Sequence, residues 1–181
     1  AEAFTVGVAG ETNATFFTGD LSVLVGYGDI PVSDNRFQHR LGHTSANVGD
    51  EVVLCWKVET GLKDLNCIKT YFEFEKKLKS QKDYYLKNFG IFPEFKCGMD
   101  MGYVTAAEVG DIKREIAYHG DVLNTAARIQ EQCKIYNAKV LISEHLENAL
   151  HELNGFTKKY MGEVKLRGKH QDVKIFSITY S

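Results

Sequence analysis

The sequence predicts an α+β domain built on a ferredoxin-like, split β-α-β sheet with helices on one face, and three observations lead there. Glu51 to Trp56 is a continuous β-branched and apolar run, the pattern of a strand buried on both faces. A long amphipathic stretch with lysines between its apolar positions follows it. From there the order strand, helix, hairpin, helix, strand repeats the split β-α-β connectivity.

Residues 1–47 carry Gly7, Gly10, Gly19, Gly26, Gly28, Gly42 and Pro31 with no sustained helical period, so short strands and turns are expected. Between Gly61 and Asn88, Leu62, Leu65, Ile68, Tyr71, Phe72, Leu78 and Tyr85 recur mostly three or four apart, which predicts one amphipathic helix. Pro93 ends it. Phe95–Met101 and Tyr103–Val109 read as two strands joined by a tight turn at Gly102. Asp121–Tyr136 is predicted helical, with Asp121 suited to start it and Asn137 to close it. Lys139–Ser143 reads as a strand, Glu144–Leu153 as a helix, and Phe156–Val164 and Val173–Thr179 as late strands.

With 181 residues, 44% hydrophobic and 25% charged, the chain has the makeup of a single domain over 1–181. A formal net charge of −2 supplies no global basic field, so nucleic acid is not an expected partner. Cys55, Cys67, Cys97 and Cys133 are widely spaced, with no C-x-x-C pair, and read as reduced core thiols of a reducing compartment. No stretch approaches the roughly 20 apolar residues of a membrane span, and the first residues lack the order of a signal peptide. A cytoplasmic location is expected, either free or as the cytoplasmic domain of a membrane-anchored parent with regulatory parts.

Three segments carry candidate chemistry. In Gly120-Asp121-Val122-Leu123-Asn124-Thr125-Ala126-Ala127-Arg128, Asn124 and Arg128 stand four apart and must share a helical face, so their polar heads can reach one ligand. The small Ala126 and Ala127 let another backbone or a nucleotide come close. Gly49-Asp50 places a carboxylate in a turn before a buried strand, where it can be held toward a metal or simply bond its own backbone. Arg167-Gly168-Lys169 lies between two late strands, where a compact ammonium suits a phosphate tail or plain solvation.

Together these segments resemble class III adenylyl and guanylyl cyclase catalytic domains of bacterial type. Gly120–Arg128 resembles the signature G-D-x-[VL]-N-x-A-[AS]-R, Gly49-Asp50 the metal-binding G-D, Arg167–Lys169 the K-G-[KR] turn, and Phe95–Val104 the [LV]-R-x-G-[IM]-x-x-G hairpin. The resemblance covers residues 48–178, whereas 1–47 match poorly. It implies the class III cyclase fold and conversion of ATP to 3′,5′-cyclic AMP and pyrophosphate, with GTP to cyclic GMP as the alternative. A catalytically degenerate, nucleotide-binding regulatory domain is a second alternative, and a diguanylate cyclase, faintly echoed by Gly49-Asp50-Glu51, leaves the Asn124 and Arg128 helix unexplained.

The resemblance further implies that Asn124 orients the ribose, Arg128 stabilises the transition-state phosphate and Lys169 binds the β- and γ-phosphates. Two Mg2+ ions per site, replaceable by Mn2+, would be held by Asp50 and a first aspartate on strand one. Residues 1–10 contain no aspartate, and Asp20 in Phe16-Phe17-Thr18-Gly19-Asp20-Leu21 has better surroundings but lies close to Asp50. The base-selecting positions are Ala46 and Ala117, which match neither the adenylyl nor the guanylyl pair. A homodimer with two sites, each shared between protomers, is the expected assembly.

Overall fold

Nine residues of β1 (Glu2–Gly10) run antiparallel to nine of β5 (Phe95–Tyr103), from Glu2 opposite Tyr103 to Gly10 opposite Phe95, and this pair is the axis of the sheet. The computed structural model describes residues 2–10, 14–16, 43–48, 51–56, 58–92, 94–103, 105–109, 115–119, 121–165 and 172–181. On one side of the axis β1 pairs with β4 (Glu51–Cys55), which pairs with β3 (His43–Val48), and the short β2 (Ala14–Phe16) also joins β1. On the other side β5 runs parallel to β8 (Val140–Ser143), followed by antiparallel β10 (Val173–Tyr180) and β9 (Phe156–Val164). A separate two-stranded ribbon joins β6 (Thr105–Val109) to β7 (Glu115–His119).

The hairpin expected across Gly102 does not form. β5 continues through Gly102 to Tyr103, paired along its whole length with β1 and at Cys97–Met99 with β8, and β6 pairs with β7 instead. The strand expected at Glu51–Trp56 is β4 and the late strands are β8, β9 and β10, whereas among the described residues of 1–47 the nine-residue β1 is longer than the short strands expected and only β2 is short.

The helices follow one another as α1 (Val58–Leu62), α2 (Asn66–Ser80), α3 (Lys82–Phe89), α4 (Asp121–Ile135) and α5 (Glu144–Ala149), with a 3₁₀ turn at Lys63–Leu65. The single helix expected over 61–88 is therefore broken twice. Asp64 (φ 54°) and Leu65 (φ 58°) are left-handed, which L side chains adopt at a cost, and the kink lets Leu65 turn into the core. Gln81 (φ −107°) separates α2 from α3 and returns Tyr85 to the core. At the end of α4 the expected closure is present: Asn137 is left-handed (φ 48°), and Ala138 N–H reaches back to Cys133 O at 2.9 Å.

Successive strand residues face opposite sides of a sheet, and the helices use both. Cys97, Met99, Val140, Ile142 and Ile178 point to one face, against Ile68, Tyr71 and Phe74 of α2 and Leu146 of α5. Leu141, Val164 and Ile175 point to the other, against Ile129 and Cys133 of α4. α1, α2, α3 and α5 keep the expected one-face arrangement, and α4 takes the other face. α4 takes the second face because β5 presents glycine to it: a Cβ on Gly98 would lie 2.3 Å from Ala126 O and 2.4 Å from Gln130 N. Gly102 is close to Val122 in the same way, at 3.2 Å from its Cβ.

Glu75 of α2 accepts hydrogen bonds from Lys79 Nζ at 2.8 Å and from Lys139 Nζ at the start of β8. Burial acts to raise its carboxyl pKa, but the two ammonium groups outweigh that and hold it below the ordinary value. A carboxylate depressed in the folded state stabilises above its unfolded pKa, about 4.3, and loses that contribution as pH falls through the folded value. The difference in urea midpoint between wild type and Glu75→Gln should therefore be largest near neutrality and shrink on acidification below about pH 4. Gly98→Ala should cost about 1–3 kcal/mol in the same measurement, because α4 must lift from β5 to admit the methyl group.

Candidate active site

α4 begins with an acidic residue, Asp121, in its first turn, where the helix dipole favours negative charge. Thr125 Oγ1 donates to Asp121 O at 2.8 Å, so this β-branched residue is satisfied inside the helix. Val122, Thr125, Ala126, Ile129, Gln130 and Cys133 form the buried stripe. Asn124 and Arg128 stand on the opposite stripe with Glu131 and Ile135, Asn124 exposed and Arg128 half-buried. The shared face read from the sequence is thus a shared outward face. Ala126 has a different use from the one expected. It is fully buried and its backbone touches β5, so its small size admits the protein's own strand.

Ala46 lies in β3 opposite Val53, beside a register shift that follows Thr44, and Ala117 lies in β7 opposite Ala107. β7 runs next to β3, so the two strands that carry these positions adjoin. Val48 and Glu51 pair across the β3–β4 connection. Asp50 in that connection, Asp20 and Lys169 lie outside the described residues.

Asp100 lies beneath α4 as a buried, structural carboxyl group. It is 6% exposed, on the α4 face of β5 between the two glycines, and its Oδ1 accepts from Ser143 Oγ at 2.6 Å. Ser143 Oγ in turn accepts Leu146 N–H at 3.1 Å and caps α5. The sequence signal was Ser143 directly before the helical run. Nothing local marked Asp100, because its partner sits 43 residues away.

Two shallow clefts lie on the α2 side. One, of about 340 Å³, is lined by Leu62, Asp64, Lys69, Leu150, His151 and Glu152, and the other by Phe72, Glu73, Lys76, Lys79 and Tyr180. Neither includes Asn124 or Arg128. Among the described residues no group of His, Cys, Asp or Glu is placed to hold a metal ion. No helix among them is long and apolar enough to cross a membrane.

The described cysteines are poor nucleophiles. Burial pushes the thiols of Cys67 and Cys133 up to about 12 and that of Cys97 well above the ordinary thiol value. They are free and buried, as the sequence reading expected of core thiols. Ellman's reagent at mildly alkaline pH should leave all three unmodified in the native protein and label them once denaturant is added. Fast labelling of more than one of the four cysteines in the native state would contradict this burial.

The profile of the adenylate and guanylate cyclase catalytic domain matches residues 47–179. Adenylate cyclase 2 of Rhizobium meliloti (strain 1021) is 28% identical over 176 residues, which is 96% of this chain and 48% of that protein. The chain thus spans about half the length of that curated relative. Among solved structures, the adenylyl cyclase CyaB from P. aeruginosa superposes with a TM-score of 0.66 at 13% identity, over 99% of this chain and 94% of that one. The guanylyl cyclase Cya2 does so with a TM-score of 0.67 at 14% identity, over 98% and 91%.

Proposed function

Because the chain belongs to the adenylate and guanylate cyclase catalytic domain family, we propose that it converts ATP to 3′,5′-cyclic AMP and pyrophosphate at a site completed by a second copy of itself. The observation that carries the reading is the outward stripe of α4, where Asn124 and Arg128 project together from a helix whose other face is locked to the sheet. In this reading the ribose 3′ oxygen attacks the α-phosphorus in line, a new P–O bond forms, and the bond to pyrophosphate breaks. Asn124 orients the ribose, and Arg128 neutralises charge that develops on the α-phosphate. Lys169 holds the β- and γ-phosphates.

Two divalent ions, Mg2+ or Mn2+, belong to the proposal on the family pattern, with Asp50 as the assigned ligand and Asp20 as a candidate for the other. They would lower the pKa of the 3′ hydroxyl and clamp the leaving phosphates. The described residues offer no metal-holding group, so no step of the present mechanism is routed through an ion. ATP is the proposed substrate and GTP the alternative, because Ala46 and Ala117 offer no polar group to read the purine edge. A single domain over 1–181 and a cytoplasmic location complete the reading.

One observation favours a second reading, that of a nucleotide-binding regulatory domain without turnover. β1, the first strand and the centre of the sheet, contains no aspartate between Glu2 and Gly10. Purified protein incubated with ATP or GTP and manganese separates the two readings: cyclic product supports the enzyme, and tight nucleotide binding without product supports the regulator. Arg128→Ala should lower kcat by roughly 100-fold or more with an unchanged urea midpoint. Mixing Arg128→Ala with Asp50→Ala, each inactive alone, should restore part of the activity if the site is shared. Near-normal turnover by Arg128→Ala would remove that residue from the mechanism.

A further inference from the structure

Four of the eight exposed large hydrophobic residues among the described ones lie on α3 and in the turn after it. On α3 only Tyr85 is buried, whereas Tyr84 is 50%, Leu86 44% and Phe89 56% exposed, and Ile91 just beyond is 50% exposed. Successive helical residues stand about 100° apart, so Tyr84 and Leu86 flank the buried Tyr85 on either side, and the Phe89 ring lies 6.1 Å from that of Tyr84 and 6.0 Å from that of Tyr85. Gly90, left-handed at φ 73°, ends α3 through its N–H to Leu86 O at 3.1 Å and leaves Phe89 and Ile91 on either side of the turn. Tyr84 and Phe89 are in ring contact, with Leu86 and Ile91 close by in the chain, and clustered exposed apolar side chains of this kind often mark an interaction site.

Charge names the partner. Between residues 76 and 92 there are five lysines, Lys76, Lys77, Lys79, Lys82 and Lys87, against Asp83 alone, in a chain whose net charge is −2. Lys79 is engaged by Glu75, and Lys82 lies 5.8 Å from the Phe92 ring centroid. Lys76, Lys77 and Lys87 are exposed. A lysine rim around tyrosine, phenylalanine, leucine and isoleucine fits the boundary of an anionic bilayer: the lysines meet the headgroups, the tyrosines sit at headgroup depth, and Phe89 and Ile91 enter the acyl edge. No residue from 82 to 92 lines either of the two clefts on the α2 side.

We propose that α3 and the Phe89–Phe92 turn form a peripheral docking surface for an anionic lipid membrane. This is independent of the catalytic reading, because none of these residues belongs to the α4 stripe or to the positions assigned to substrate and metal. It needs no spanning helix: the lysines supply long-range attraction, which salt weakens, and the apolar tips supply the hold that survives salt.

The test is co-sedimentation of the purified chain with vesicles of phosphatidylcholine alone and of phosphatidylcholine with phosphatidylglycerol. Binding is expected only to the mixed vesicles, with the partition coefficient lowered about tenfold or more in Lys77→Glu/Lys87→Glu. A comparable loss is expected in Phe89→Ser/Ile91→Ser, whose sites are too exposed to disturb the core. Either of three results overturns the proposal: no sedimentation with mixed vesicles at low salt, equal binding to neutral vesicles, or undiminished binding by Phe89→Ser/Ile91→Ser. A fourth does so as well, a fall in oligomeric mass of Phe89→Ser/Ile91→Ser without vesicles, since it would assign the patch to a contact between copies. Unchanged urea midpoints confirm that the variants are folded.

Discussion

Helix α4 lies on β5 at backbone distance, and that contact depends on position 98 having no side chain. With Ala126 O and Gln130 N within 2.4 Å of where a Cβ would stand, no other residue fits without displacing the helix. The same face of β5 is small again at Gly102, beneath Val122. The two glycines, four residues apart on the same side of β5, fix both the height and the register of α4. Since Asn124 and Arg128 project from the opposite side of that helix, their position in space is set by residues that neither of them touches. Cys133 adds a weak anchor at the far end, its thiol 3.4 Å from Cys97 O.

Between the glycines sits Asp100, and its burial requires partners. The Ser143 hydroxyl supplies one, donating to the carboxylate while accepting from Leu146 N–H, so a single oxygen joins β5, the end of β8 and the start of α5. A buried carboxylate with its hydrogen bond removed is far more costly than one never buried, which makes this bond a strong constraint on the relative placement of the parallel strands β5 and β8. α5 then drops Leu146 into the core on the α2 side. The central layer is therefore held from both faces: by close backbone packing beneath α4, and by aromatic packing around Tyr71, whose hydroxyl donates to Phe95 O at 2.8 Å.

Much of this was legible in the sequence wherever local chemistry decides structure. The α4 limits, the closure at Asn137, strands β8 to β10 and the outward pairing of Asn124 with Arg128 follow from periodicity and capping alone. The reading failed where a partner is remote or a backbone state is unusual. Residues 95–109 look like a hairpin, yet β5 is claimed by β1, whose register nothing in its own composition announces. Left-handed Asp64 and Leu65 break a helix whose apolar spacing runs on without interruption. Ala126 suggests room for a ligand, and only the opposing Gly98 reveals that the room is already taken. For the candidate site, the α4 half is placed, Ala46 and Ala117 are placed to their adjoining strands, and Asp50, Asp20 and Lys169 lie outside the described residues.

The outward stripe has a further consequence under the proposed function. A guanidinium stabilises developing phosphate charge strongly only where water is excluded, because the same pair in bulk solvent is screened to about 1 kcal/mol at contact distance. Arg128 is half-exposed and Asn124 exposed on the outward stripe of α4, and neither lines the two clefts on the α2 side. Under that reading, the two groups need a further surface to give them low-dielectric surroundings. A second surface laid over α4 would supply both exclusion of water and the missing half of the ligand set, and the glycine-fixed helix is rigid enough to meet it without reorganisation. Under the proposed function, association of two copies and chemistry would then be a single equilibrium, with α4 of each copy forming one wall of the site.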